Sequence, residues 1–380
     1  MWTEPAELFL AANSARAIAE SAVRGGFRVQ ILDAFCDQDT QGLGSCTRVP
    51  MIGWGLDPVQ LSAAIERLAT GPSPVGLVYG AGLESSPDLL SALPEPVRLL
   101  GNAPAVLALL ADPVRLFALL TQRAIPHPQT RLDPPPAGDA SPWLLKECGG
   151  SGGLGVRLWR DGDPRPRGPH YFQQQLAGEL MSVLFIADGT RLEVIGFNRL
   201  LVADGGVQRP FLYGGAIGQA TIADPLRQAV IGWAESLVEA LGLRGLNNLD
   251  FILHQGRVYL LELNARPSAT MSLYEGQCAE GWISRHVRAC LGTLPAESWA
   301  PPAGICGQRL VYAPADLRIP MDLVWPAWCR DRSPAGTLVP RGAPLCTVLA
   351  DGPAAGSVES LLAVRAQRML DLIGEHETHE

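Results

Sequence analysis

Leu249-Asp250-Phe251-Ile252-Leu253-His254-Gln255-Gly256-Arg257-Val258-Tyr259-Leu260-Leu261-Glu262-Leu263-Asn264-Ala265-Arg266-Pro267-Ser268 is the stretch on which the fold turns. It reads as two strands joined by a tight turn at Gln255-Gly256. With a three-residue connection, Asp250 lies opposite Glu262. Side chains alternate along a strand, so Glu262 and Asn264 share one face and Tyr259, Leu261 and Leu263 take the other. Asp250, Glu262 and Asn264 then converge as three oxygen donors, two of them anionic. Mg2+ prefers oxygen ligands with one or two carboxylates among them, and completes its shell with nucleotide phosphates. Arg266 at the same edge is placed to stabilise charge on a transferred phosphoryl group. Two strand carboxylates alone are more often solvated surface than a site. Asn264, Arg266 and a second element upstream tip the balance.

That element is Lys146, the only lysine of a chain whose other 29 basic residues are arginines. It ends the apolar run Pro142-Trp143-Leu144-Leu145 and precedes Glu147-Cys148-Gly149-Gly150-Ser151-Gly152-Gly153-Leu154-Gly155. Glycine N–H groups can approach an anion unobstructed by a Cβ, and the ammonium adds a movable point charge. The bland reading is a surface lysine beside a plain turn. Gly150 to Gly155 matches G-x-G-x-x-G, but the dinucleotide fingerprint needs a following helix. Here Val156-Arg157-Leu158-Trp159-Arg160 alternates like a strand. A P-loop places its lysine after the glycines, and the catalytic-loop and D-F-G motifs of a protein kinase are missing. What survives is a glycine hairpin folded over the phosphates of a nucleotide.

Working outward, strand and helix patterns alternate at the N-terminus. Leu8 to Ala11, Phe27 to Asp33 and Val75 to Gly80 read as strands, with helical spacing over Ser14–Arg24, Pro58–Leu68 and from Ser86. This alternation predicts a parallel sheet covered on both faces. Ligands sit at the C-terminal ends of such strands, which brings Asp33, Asp37, Asp39 and the turn Gly80 to Glu84 into view, unless these simply cap helices and form turns. Asp188-Gly189 reads as a hairpin turn. Beyond a Pro-rich passage from Leu294 to Gly304, tight turns between Pro334 and Cys346 predict a small β-rich domain. A helix over Ser357–Ile373 and a disordered tail, Gly374 to Glu380, follow. His376-Glu377-Thr378-His379 is one residue short of a zinc motif. The expected domains are 1–110 (Rossmann-like α/β), 111–295 (two α+β subdomains) and 304–380 (β-rich).

Composition bounds the function. A hydrophobic content of 47% with 18% charged residues describes a globular chain of two or three domains. The net charge of −8 argues against a nucleic-acid surface. Glu4 and Glu7 stand where a signal peptide would be basic. The most apolar stretch, Leu99 to Leu120, is broken by Pro104, Asp112, Pro113 and Arg115, so no membrane span is expected. Eight cysteines without a C-x-x-C pair predict reduced thiols and a cytoplasmic setting.

Lys146 before the glycine loop, followed by D-F-I-(x)10-E-x-N-x-R from Asp250 to Arg266, resembles the ATP-grasp superfamily over roughly residues 111 to 290. The resemblance implies ATP held between two α+β subdomains, with magnesium as two ions and manganese as the alternative. It implies that Lys146 contacts phosphate under Gly150, Ser151, Gly152, Gly153 and Gly155. Gln174, Gln175 and Leu176 would supply the adenine hinge, and Glu179 or Gln173 would lie near adenine or ribose. Asp250, Glu262 and Asn264 would carry the metal, and Arg266 would meet an acyl phosphate. Relatives often carry a second early lysine, where Arg115 stands here, and an arginine where this chain has Asn248. The branch most like this chain joins small-molecule carboxylates to amines, as tyramine–glutamate ligases do. Acceptor-side candidates are Arg199, Tyr213, Gly214, Gly215, Ser268 and Thr270. An ATP-dependent carboxylating enzyme and a non-catalytic nucleotide-binding subunit are the alternatives. The expected partners are small molecules, with room for a homodimer.

Overall fold

The computed structural model describes residues 6–71, 74–136, 138–139, 141–206, 209–294 and 304–377. The fold is mixed α/β. The first sheet forms from strands β1 (Glu7–Ala12), β2 (Arg28–Asp33), β3 (Ser45–Arg48) and β4 (Gly76–Tyr79), all parallel, in the order β3–β2–β1–β4. Its central strand is apolar from Leu8 to Ala12 and buried throughout, as a strand covered on both faces must be. Helix α1 (Arg16–Arg24) follows β1 directly, and α2 (Pro58–Ala69) starts at Asp57, whose carboxylate accepts the Val59 and Gln60 N–H groups ahead of a first-turn proline.

Helix α3 (Pro113–Gln122) uses the same device, with Asp112 accepting from Val114 and Arg115. A second sheet follows, of strands β5 (Thr130–Arg131), β6 (Trp143–Glu147), β7 (Val156–Trp159) and β8 (His170–Gln174), ordered β5–β8–β6–β7. β6 and β7 are antiparallel neighbours, with Lys146 opposite Val156. The glycine run is therefore a strand-to-strand connection.

The largest sheet holds β9 (Glu179–Asp188), β10 (Leu192–Val202), β11 (Tyr213–Ile217), β12 (Arg244–His254), β13 (Arg257–Asn264), β14 (Ile305–Tyr312), β15 (Cys329–Arg330) and β16 (Pro344–Gly352). Their order is β13–β12–β9–β10–β11–β14–β16–β15. Pairing of β11 with β14 makes the C-terminal strands continuous with the sheet that carries Asp250 and Glu262. Helices α4 (Asp224–Leu241) and α5 (Trp282–Cys290) come from the middle of the chain. Helix α6 runs Ala355–Glu377, so it passes through Gly374, where the sequence suggested a disordered tail. The Pro-rich passage and the last three residues lie largely outside the described residues. Among those described, no single helix is long and apolar enough to cross a membrane.

Candidate active site

Strands β12 and β13 are joined by Gln255-Gly256 alone, both at positive φ (48° and 73°), the conformation a two-residue hairpin turn needs. From His254 opposite Arg257 the register runs evenly to Phe251 opposite Leu260, and then shifts by one. Leu261 is the extra residue of a β-bulge, and beyond it Asp250 faces Glu262 and Asn248 faces Asn264. The expected Asp250–Glu262 pairing is present, through a two-residue turn plus a bulge instead of a three-residue connection. Strict alternation fails at this point. Leu261 lines the same cavity as Glu262 and does not turn to the opposite face.

Around this pair the polar side chains are interlocked. Asp250 accepts from the amides of Asn248 (2.6 Å) and Asn264 (3.0 Å). Asn264 Oδ1 accepts from Arg266 Nη2 at 2.8 Å, and Arg266 Nε donates to Glu84 at 2.5 Å. Lys146 reaches in from β6, its Nζ 3.4 Å from Gln173 Oε1 and over the Tyr171 ring. Burial, then the charge of Glu262, pushes the Asp250 carboxyl well above the ordinary carboxylate range. Burial also raises Glu262, against the pull of Lys146 and Arg266. For Lys146 burial works the other way, and Tyr171, Glu262 and Asp250 together hold its pKa above the ordinary value. Two adjacent half-buried carboxylates that resist joint ionisation form a donor set a hard divalent cation would satisfy. They are only two: among the described residues no group of three His, Cys, Asp or Glu is arranged to hold a metal, and any further protein ligand must be an amide such as Asn264.

Above the pair lies the glycine loop. Its Gly152 carbonyl accepts the Tyr213 N–H at 2.9 Å, so the loop is folded down on the start of β11. Gly153 presses closer still: a Cβ there would lie 1.8 Å from the Phe211 oxygen. Gly150, Ser151, Gly152 and Gly153 line a cavity of about 910 Å3. Gly155 does not line it; a Cβ there would lie 3.1 Å from Glu147 Cβ and 3.3 Å from the Trp54 ring.

Most of the expected site residues meet at this cavity: Lys146, Gln173 to Leu176, Asp250, Glu262, Asn264 and Arg266. So do the acceptor candidates Tyr213, Ser268 and Thr270. Gln173 Nε2 is buried there without a hydrogen-bond partner, a donor left for a ligand. Other candidates are not brought to it. Glu179 is exposed beside Arg199, which pairs with Glu359 of α6 at 2.6 Å. Arg115 is exposed on the first turn of α3, where Asp112-Pro113 sets a helix start. Gly214 and Gly215 are strand residues of β11, and a Cβ at Gly215 would strike the Gln308 backbone. Asp33 and Asp39 are engaged by backbone N–H groups. Asp33 accepts N–H groups from Ala15, Phe35 and Cys36, and Asp39 accepts from Asp331 and Arg332. The sequence reading missed Asn13, Ser14 and Arg16 after β1, and Asp331 and Thr347 from the C-terminal strands, all of which line the cavity. The rule that ligands gather at strand ends applies equally to the end of β1. Nothing local marked Asp331.

The fold places a lysine–glycine hairpin over a carboxylate pair between two antiparallel sheets, and residues 110–270 match the family model described as an ATP-grasp domain. The chain carries an ATP-grasp domain. The large chain of carbamoyl phosphate synthase from Thermoplasma acidophilum is 28% identical over 116 residues, which is 30% of this chain and 11% of that one. Among solved structures, an L-amino acid ligase from Bacillus licheniformis superposes with a TM-score of 0.70 at 14% identity, covering 98% of both chains. The biotin carboxylase domain of Hydrogenobacter thermophilus 2-oxoglutarate carboxylase, a dimer with MgADP and bicarbonate, gives 0.70 at 12% identity over 91% of this chain and 86% of that one. At these identities the likeness is one of fold. It extends beyond the ATP-grasp domain to nearly the whole chain.

Proposed function

We propose that the chain is an ATP- and Mg2+-dependent ligase that activates a carboxylate as an acyl phosphate and joins it to an amine, releasing ADP and phosphate. The observation that carries this reading is the Asp250–Glu262 pair with Lys146 and Arg266 on either side, roofed by the glycine hairpin in one cavity. A bound Mg2+ would supply charge neutralisation on the phosphates, held by Asp250 and Glu262 with Asn264, as one ion or two. Lys146 would add its fixed positive charge, and Arg266, oriented by Glu84 and Asn264, would stabilise charge at the acyl end. Gly150 to Gly153 would close the phosphates from water, which otherwise hydrolyses an activated carboxylate. Gln174 to Leu176 would meet the adenine, and the orphaned Gln173 amide would donate to the nucleotide. The same cavity is also lined by Ser14 and Asp331, and its volume of about 910 Å3 leaves space for an organic second substrate.

ADP formation across amino acids paired with small amines tests this reading. Glu262→Gln and Asp250→Asn are expected to lower Mg2+-dependent turnover by two orders of magnitude or more in folded protein. Arg257→Gln, exposed beside the hairpin turn, is expected to match the unaltered chain. Full activity of both acidic-site variants at limiting Mg2+ would falsify the assignment. A second reading, carboxylation with bicarbonate as the carboxylate, draws support from the fold shared with the bicarbonate-bound carboxylase domain. ADP release that requires bicarbonate and not an added carboxylate would select it.

A further inference from the structure

The N-terminal sheet gives the cavity a wall of a different character from the carboxylate pair. Segments that follow its parallel strands contribute apolar side chains: Ile18 from α1 after β1, Phe35 after β2, and Met51 and Trp54 from a short hairpin after β3, in which Met51–Ile52 pairs with Gly55–Leu56. Ligands of open parallel sheets gather at these strand ends. What the sheet presents there is a half-buried indole, a half-buried phenyl ring and an exposed thioether. Among the described residues, Arg16 is the only charged side chain that this sheet and its connections bring to the cavity. It is already bonded to Asp331 and to Glu20, each at 2.7 Å.

Several contacts hold the Trp54 hairpin in place. Asn13 Nδ2 donates to the Trp54 carbonyl at 3.0 Å, and the Leu56 N–H donates to the Gly82 carbonyl at 3.2 Å. The backbones are so close that a Cβ at Gly55 would lie 2.2 Å from the Gly82 oxygen. Donation to Trp54 also settles which way the Asn13 amide is turned, and it leaves Asn13 Oδ1 without a donor. That oxygen is an acceptor, so it offers nothing to an anion. The Trp54 ring itself meets the glycine hairpin, 3.3 Å from the place of a Cβ on Gly155, so a group resting on the indole adjoins the roof of the phosphate site.

Building on the ligase reading, we propose that Trp54, with Ile18, Phe35 and Met51, forms a specificity subsite for an uncharged apolar group, of the size of a leucine or phenylalanine side chain, on one of the two organic substrates. Burying such a group against these side chains is favourable, and a flat ring gains further from the indole and phenyl faces. A carboxylate or phosphate brought to the same wall would lose its water and find only a neutralised arginine and an unpaired acceptor.

The test is titration calorimetry of the full chain, with Mg2+ and a non-hydrolysable ATP analogue, against phenylalanine, leucine, alanine, glutamate and O-phosphoserine. Each supplies the same carboxylate and amine, so only the side chain changes. Phenylalanine and leucine are expected to bind roughly tenfold or more tightly than the other three. Trp54→Ala is expected to weaken phenylalanine about tenfold and alanine less than twofold, while retained binding of the ATP analogue reports that the fold is intact. Should Trp54→Ala fail to fold, Met51→Ala, at an exposed position of the same wall, is expected to weaken phenylalanine about threefold. Tighter binding of glutamate or O-phosphoserine than of phenylalanine overturns the proposal, as does equal or undetectable binding across the series. So does unchanged phenylalanine affinity in Trp54→Ala, or in Met51→Ala where that variant replaces it. A preference for phenylalanine that depends on Trp54, without amine-dependent ADP release, would sink the ligase reading and leave this subsite standing. Amine-dependent ADP release that is indifferent to the side chain would do the reverse.

Discussion

Lys146 shows how one residue can be read from sequence and still gain meaning from structure. Its isolation among arginines marked it, and its position on β6 places it facing both the Asp250–Glu262 pair and the Gln173 amide. No second lysine exists to compensate, so Lys146→Ala is expected to weaken binding of a fluorescent ATP analogue by ten- to a hundredfold, with Lys146→Arg retaining part of it. Unchanged affinity in the alanine variant would remove it from the phosphate site. His286 makes the opposite case, a residue whose role no motif announced. It is fully buried in α5, its Nδ1 accepting from Leu246 N–H at 2.9 Å and its Nε2 facing the Leu100 oxygen at 3.0 Å, with Cys290 Sγ at 3.5 Å. Burial, only partly offset by Leu100, lowers its pKa from 6.5 to about 4. The unfolded chain therefore binds the proton first. The stability that His286 contributes is complete above about pH 6.5 and is lost as pH falls toward 4, by about 3 kcal/mol in all. Urea unfolding between pH 4 and 7 checks this, and a His286→Gln variant is expected to flatten that part of the profile. An unaltered slope in the variant would assign the acid sensitivity elsewhere.

At the scale of elements, the glycine hairpin and the Asp250–Glu262 hairpin were legible for different reasons. Strand, glycine loop and strand follow in sequence, so local pattern sufficed to place the loop over the site. What pattern did not reveal is that the loop docks on Phe211 and Tyr213, and this makes its glycines unequal. Gly152 (φ 63°) has Tyr213 Cβ no nearer than 3.8 Å to an added Cβ, whereas one at Gly153 (φ 74°) would overlap the Phe211 oxygen. Both alanine substitutions carry the cost of a left-handed residue, roughly 1–2 kcal/mol, but only Gly153→Ala must also lift the loop. Turnover is expected to fall at least tenfold in Gly153→Ala and only a few-fold in Gly152→Ala, with little change in thermal midpoint for either. Equal losses would show that docking on Phe211 does not set the closed loop. In the β12–β13 hairpin the facing of Asp250 and Glu262 was readable from spacing, but the side of Leu261 was not. A bulge inserts one residue without any change in composition, and alternation read from sequence reverses beyond it. Glu179 and Arg115 do not line the cavity for a related reason: spacing along the chain does not say which way an exposed strand end or a helix cap turns.

Across the whole molecule, the site depends on contacts between segments that no local period encodes. The parallel N-terminal sheet was legible because its strands are apolar runs, yet what fastens it to the ATP-grasp domain is a buried polar knot. Asn102 donates to Asn247 Oδ1 at 2.8 Å and to the Ala265 carbonyl at 2.9 Å, and accepts the Arg244 N–H at 2.8 Å. Tyr79 Oη lies 3.0 Å from the same Ala265 carbonyl. Ala265 is the residue between Asn264 and Arg266, so this knot fixes the strand end from which both project, while Glu84, in the segment after β4, holds the arginine head. Asn102→Ala would leave a buried N–H, a carbonyl and an amide oxygen short of one partner each, and such deletions cost about 1–3 kcal/mol per unsatisfied group before relaxation. The expected result is a loss of roughly 2–4 kcal/mol in urea unfolding. Tyr79→Phe, which removes one hydroxyl and leaves the ring, is expected to lose about 1 kcal/mol. Because the two side chains share one acceptor, the double variant should depart from additivity. In both, ADP formation should fall through kcat, since Arg266 and Asn264 are displaced, while affinity for the ATP analogue measured without Mg2+ stays close to that of the unaltered chain because Lys146 and Gln174 belong to the other sheet. Loss of nucleotide affinity matching the loss of kcat would mean that the knot supports the fold as a whole and does not aim the arginine.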